Sequence, residues 1–289
     1  MFDLRYHVAS LAAVFVALLI GILVGVAMSG KVDDAEKQSL KSDVKSLEAQ
    51  LDAAGERAAN GTREQKAFKA FVKNAYPALI ADRLRGKRIA IVFVGPVDAG
   101  LRRNIERAVD DAGSGTPVRI RALKVPIDGT QIEGRLDGEL AQYRTAGLDD
   151  LGAELARELV DGGDTPAWDA LTPLIVEEKA GSFKRPVDGV VVARTVKAQG
   201  GETSLLLKGL YSSLADIDVP TIGVENSGVS ESAVGVWSGA GLSTVDDIET
   251  PAGRLALALL LSSSSIGNYG LKPTADDGIV PPVEAQPSG

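Results

Sequence analysis

The residues able to do chemistry are few and unevenly placed. The chain has no Cys, one His and two Met. His7, Met1 and Met28 all lie at the N-terminal end, so residues 29–289 hold no imidazole, thiol or thioether. Disulfides, thiolate nucleophiles, iron–sulfur clusters and Cys-based zinc sites are thereby excluded. A Ser-His-Asp relay is excluded from the body as well, because no imidazole there can act as base. Carboxylates, Lys, Tyr, Ser and Thr remain. The pairs Asp110-Asp111, Asp149-Asp150, Asp246-Asp247 (with Glu249) and Asp276-Asp277 would serve acid–base work only if the fold gathered them in a cleft. Asp149-Asp150 and the stretch Asp246 to Glu249 read more simply as helix starts, where the dipole favours acids.

Phosphate chemistry fares no better. Gly95 and Gly100 have the glycine spacing of a phosphate loop, but Leu101-Arg102 stands where Lys-Ser/Thr is needed. The cation and the hydroxyl for Mg²⁺ are both missing. No GxGxxG opens a helix. The glycine-rich run Gly235–Gly241 reads as a tight loop beside Trp237. The expectation is a non-enzymatic protein with no cofactor, no catalytic residue and no metal site.

What must position any remaining site is an α/β body. The continuous apolar run at 88–94 suits a strand buried on both faces of a mostly parallel sheet, and 118–125, 187–193 and 219–224 read as further strands. Helical patterns at 98–112, 148–160, 204–215 and 251–262 alternate with them. That alternation predicts a Rossmann-like, doubly wound sheet over residues 87–271. Ligands in such folds sit beyond the carboxyl ends of the strands. Gly95, Arg194, Glu225 and Asn226 fall there and form the candidate ligand crevice. Residues 272–289, rich in Pro, Gly and Asp, read as a flexible tail.

The N-terminal third is different. Val8 to Gly30 is 23 uncharged residues, enough for a bilayer core of about 30 Å. Residues 1–30 therefore read as a single uncleaved membrane anchor; the competing reading is a signal peptide cut near Gly25-Val26-Ala27. Ala13, Ala17, Gly21 and Gly25 recur every fourth residue, the small-residue stripe that lets membrane helices approach closely. Arg5 precedes the span and Lys31, Lys37, Lys41 and Lys45 follow it, so charge counting alone puts the body inside the cell. Over 31–60, Leu40, Val44, Leu47 and Leu51 make a heptad seam, suited to a coiled coil or to an amphipathic helix lying on the body. Asn60-Gly61 signals a turn, and a connecting helix follows over 61–86 with Pro77 kinking or ending it. The chain is long enough for a sizeable core. Its 31 basic and 39 acidic residues give a net charge of -8, which disfavours nucleic acid as partner. The partners these features fit are the membrane and a helical chain, either a second copy or another protein.

Several stretches resemble one known family. FDLRYHVASLAAVFVAL at 2–18 and IGILVG at 20–25 resemble the start of the actinobacterial MctB/SteB family, often labelled copper transporter. LRGKRIAIV at 84–92 resembles its first body strand. STVDDIETPAGRLAL at 243–257 and GNYG at 267–270 resemble its C-terminal signature. The resemblance implies an anchored envelope protein whose body lies outside the cytoplasmic membrane, which overrides the lysine count. It implies either copper handling at the outer envelope or a SteB-like role with a SteA-like membrane partner in separating daughter cells, through a cell-wall hydrolase. Copper(I) prefers Cys, Met or His donors and copper(II) favours imidazole. The body has none of these, so the residues argue against copper as a direct ligand.

Overall fold

A computed structural model describes residues 14–25, 34–263 and 265–283. The chain forms two compact units, 1–69 and 70–289. In the first, α1 covers residues 14–25, and α2 runs from Asp34 to Ile80, past the unit boundary. Among the described residues no helix is long and apolar enough to cross a membrane. The predicted anchor is described only over α1; Ala13 and the rest of it lie outside the described residues. Ala17, Gly21 and Gly25 lie in α1, and a Cβ at either glycine would meet nothing within 4 Å.

The expected break at Asn60-Gly61 is absent, because α2 is continuous through it. Asn and Gly each cost a helix interior up to about 1 kcal/mol, and the Ala, Glu, Arg and Lys residues on both sides outweigh that. Leu40, Val44, Leu47 and Leu51 all belong to α2. Val44 is half-buried, whereas Leu47 is 48% and Leu51 55% exposed.

The second unit is built on a seven-stranded sheet. Its elements in order are β1 (Ile89–Val94), α3 (Ala99–Asp111), β2 (Arg119–Leu123), α4 (Gly129–Glu133), α5 (Tyr143–Ala146), α6 (Leu148–Asp161), α7 (Pro166–Ile175), β3 (Val176–Gly181), β4 (Gly189–Arg194), α8 (Gly201–Asp216), β5 (Thr221–Val224), α9 (Val234–Gly239), β6 (Ser243–Val245), α10 (Pro251–Ser262) and β7 (Asn268–Tyr269). The strand order is β3-β2-β1-β4-β5-β6-β7. Every neighbouring pair is parallel except β2 with β3. In register, Ile91 of β1 lies between Ile120 and Val191.

Alternation along β1 and β4 sends side chains to opposite faces. Val92, Val94, Val190 and Val192 join Leu155, Trp168, Leu206 and Leu210 on one face. Ile91, Phe93 and Val191 join Ile105, Leu257 and Leu260 on the other, where Ile80 and Leu84 also close the core. Each predicted strand and helix of the body is found near its expected place. α10 is apolar on every side because it is buried on every side: Gly253 to Leu261 are all buried, as expected for a core helix.

Two expectations change and one strand is added. The glycine run at 235–241 holds a short helix, α9, with Trp237 fully buried. A charged edge strand, β3, follows α7. Residues 272–278 of the expected tail are tied down: Leu271 N and Lys272 N donate to Asp246, Asn268 N donates to Asp277, and Gly270 N donates to Gly278 O; residues 284–289 lie outside the described residues.

Candidate functional site

β1, β4 and β5 end side by side. Past β1 the chain turns to α3 and β2; past β4 it turns the other way, to α8 and β5. Loops that diverge in this manner leave a crevice. A cleft of about 330 Å³ lies there, its walls including Asp98, Arg194, Lys197, Asn226 and Glu231. The Arg194 Nη2 donates to the carbonyl of Glu231 at 2.7 Å, and Lys197 Nζ stands 3.6 Å from the Glu231 carboxylate. Asn226 Oδ1 is buried and has no hydrogen-bond partner among the described residues.

This crevice is closed to a dinucleotide by its own residues. Gly95 has φ +100, and a Cβ on it would stand 2.5 Å from Val196 Cγ1 and 2.8 Å from Thr195 Oγ1. The glycine therefore serves close approach by the β4 loop. Thr195 Oγ1 donates to the Pro96 carbonyl at 2.6 Å and Thr195 N to Val94 O at 3.0 Å, sealing that loop against β1. The start of α3 is taken as well, since Asp98 Oδ1 accepts from Leu101 N at 2.6 Å. A carboxylate thus occupies the helix end where a phosphate would be held.

Of the four residues expected to form the crevice, Arg194 and Asn226 line the cleft, and Gly95 lies behind Val196. Glu225 is turned inward at 2% exposure. It accepts from Ser232 Oγ at 2.6 Å and Ala233 N at 2.8 Å, and it pairs with Lys272 Nζ. A buried carboxylate needs such partners, so Glu225 ties two loops together and offers nothing to a ligand.

A second cavity, of about 300 Å³, opens on the other side of Arg194, between α8 and α9. Its polar lining is Arg194, Gln199, Ser204, Lys208, Tyr211 and Ser212; Leu207 and Val236 contribute apolar wall. Burial pushes the Tyr211 phenol up to about 12, so it remains a donor. Sequence reasoning missed these residues. The signal was present: Ser204, Lys208 and Ser212 recur every four positions along α8, which makes a polar row on one helix face. α8 itself begins at Gly200 without a side-chain cap.

The carboxylates that follow β6, at the same carboxyl end of the sheet, are engaged in structure. Asp246 accepts from Leu271 N at 2.7 Å and Lys272 N at 3.1 Å. Thr250 Oγ1 donates to Asp247 Oδ2 at 2.7 Å, while Asp247 Oδ1 is buried without a partner among the described residues. Burial pushes the Asp247 acid up to about 6. Glu249 accepts from Ser227 N and Oγ. Arg254 donates to the Glu249 carbonyl at 2.8 Å and lies over the Tyr76 ring, whose hydroxyl donates to Asp111 at 2.7 Å. Burial, reinforced by the Asp111 bond, holds that phenol above its ordinary range. Thr250, rather than the acids of 246–249, caps α10: its hydroxyl accepts from Gly253 N at 2.9 Å, and the helix's first turn holds no acidic residue. Among the described residues no three His, Cys, Asp or Glu side chains are grouped so as to hold a metal ion.

The family described as copper transport outer membrane protein, MctB, matches residues 1–280. The match spans both units and every described element. No curated protein matches the chain.

Proposed function

The chain belongs to the MctB family, and on that premise we propose that it is an anchored envelope protein that works by association, with no catalytic step. The observation that carries this reading is α2, a 47-residue helix whose heptad positions Leu47 and Leu51 stand about half exposed. Leu side chains at a and d positions gain their stability by inserting between residues of a facing helix. A second copy supplies such a helix with its seam already in register. Membrane confinement raises the effective concentration of that copy, so a short seam suffices.

Copper would be cargo in this family's described role, and the body's donors do not suit it. Residues 29–289 contain no Cys, Met or His, while Asp246, Glu225 and Glu249 already accept internal hydrogen bonds. We therefore place any part in copper handling at the level of an assembled complex. The finer reading is a SteB-like one, in which the same seam engages a SteA-like membrane partner in cell separation, with residues 1–30 as a single-pass anchor and the body on the extracytoplasmic side. Its support is the resemblance of residues 2–25 and 243–270 together with the helix that such a partner would need.

The test is chemical cross-linking of the full chain in native membranes, followed by sizing in detergent. Leu47→Asp together with Leu51→Asp should convert a cross-linked pair to a single chain. An unchanged pair removes α2 from the argument. A cross-linked product holding a different protein, lost in the same double variant, moves the reading to the hetero-complex.

A further inference from the structure

We propose that the cavity between α8 and α9 binds a small organic phosphate ester, with Arg194 as its anchor. This site is separate from the association surface and would stand if that reading failed. The chain carries a net charge of -8, yet no carboxylate lines this cavity. Its polar wall is made of two cations, Arg194 and Lys208, three hydroxyls from Ser204, Tyr211 and Ser212, and the Gln199 amide. Every one of these groups can donate a hydrogen bond. Such a set complements an oxyanion bearing several acceptors and leaves a cation without a partner.

Arg194 is suited to anchor it. It is half-buried at the end of β4, and among the described residues it makes no ion pair; its Nη2 is steadied by the Glu231 carbonyl at 2.7 Å. A guanidinium held by a neutral acceptor keeps its charge available and its fork pre-oriented. Lys208 stands at the divide between this cavity and a neighbouring one walled by Asp149, Asp150 and Asp216. It therefore contributes field at the rim, and Arg194 carries the site. Leu207 and Val236 form an apolar wall beside the donors, which selects an ester over a bare inorganic anion. A volume of about 300 Å³ is some ten water volumes of ~30 Å³ each, which fits a phosphorylated polyol and excludes a dinucleotide.

One ligand chemistry has two sources here, a free phosphate ester or the headgroup of an anionic lipid. The full chain, purified in a non-ionic detergent, is titrated calorimetrically at constant ionic strength with glycerol 3-phosphate, with dihexanoylphosphatidylglycerol below its micellar range, and with glycerol. Glycerol should give no heat, and at least one anion should saturate below about 1 mM. Arg194→Gln removes the charge. Ser204→Trp fills the mouth from an exposed position of α8 while leaving both cations in place. Each should weaken binding by about tenfold or more, the loss expected for one charge-assisted contact. Saturation by glycerol 3-phosphate alone identifies a free ester; saturation by the short-chain lipid identifies a headgroup. No saturable binding of either anion overturns the proposal, as does binding that both variants leave unchanged.

Discussion

Asp247 is fully buried, with one oxygen satisfied by Thr250 and the other without a partner among the described residues. Burial raises its acid to about 6, against about 3.9 in an unfolded chain. The native state therefore holds a proton that the unfolded state releases between those values. The stabilisation linked to that proton is complete below about pH 4 and is lost as pH rises through about 6. Asp247→Asn imitates the protonated form, keeps an acceptor for Thr250 and carries no charge. It should stabilise the protein at pH 7.5 by about 2 kcal/mol and have little effect at pH 4.5, read from denaturant midpoints. An equal effect at both values would refute the assignment. Glu225 and Lys272 form a buried pair with side chains 2% and 13% exposed. Lys272→Met leaves the carboxylate without its cation and should cost about 3 kcal/mol, part of which Glu225→Gln in the same chain restores. Legibility at this scale was partial. Glu225 follows β5, so its place at the strand ends could be read from the sequence. Which way it turns depends on Lys272, 47 residues further on, and no local pattern carries that information.

Among the elements, α6 and α8 pack backbone against backbone at two glycines. A Cβ on Gly152 would stand 2.1 Å from Leu206 O, and one on Gly209 would stand 1.8 Å from Asp149 O. Two helix backbones meet there with no room for a methyl group. Gly209→Ala should destabilise by about 3 kcal/mol through forced separation of the helices. Gly235→Ala, inside α9 with nothing within 4 Å of its Cβ, should be neutral or stabilising by about 0.5 kcal/mol. Thermal melts of the two variants check the contrast, and equal melting temperatures would count against it. β1, β4 and β5 were readable because strands buried on both faces are apolar throughout, and the helices beside them were readable by period. β3, reading VEEKAG, is an edge strand whose charges guard an open side, so its sequence resembles a loop. β6 and β7 have three and two residues, too few for any period to register. α2 was read as two helices because Asn60-Gly61 is a turn signal only where the flanking residues allow the chain to bend.

For the molecule as a whole, the two cores settle what can stand alone. Both clusters of buried apolar residues begin at or after Ile80, and Ile80 and Leu84 are 1% and 0% exposed. The described members of both clusters, and the apolar residues packed against them from Tyr76 onward, belong to the second unit, while the seam residues Leu40, Val44, Leu47 and Leu51 belong to the first. Folding and association should therefore be separable by cutting the chain. A fragment of residues 70–289 should melt at the temperature of the full chain and sediment as a single species, whereas the full chain in detergent should sediment as an assembly. A fragment that fails to fold, or that assembles as the full chain does, would contradict this division. The same fragment bears on copper. It has carboxylates but no thiol, thioether or imidazole, and hard oxygen donors compete poorly for copper(I) against soft chelators. Titrated against a chromophoric copper(I) chelator, it should take up no stoichiometric metal. The only soft or imidazole donors that the full chain adds are His7, Met1 and Met28, so copper(I) that it retains should trace to them and fall in a His7→Ala, Met28→Leu variant. Stoichiometric uptake by the fragment would mean that the body binds metal through donors outside the expected chemistry, and association would no longer suffice as an account of what it does.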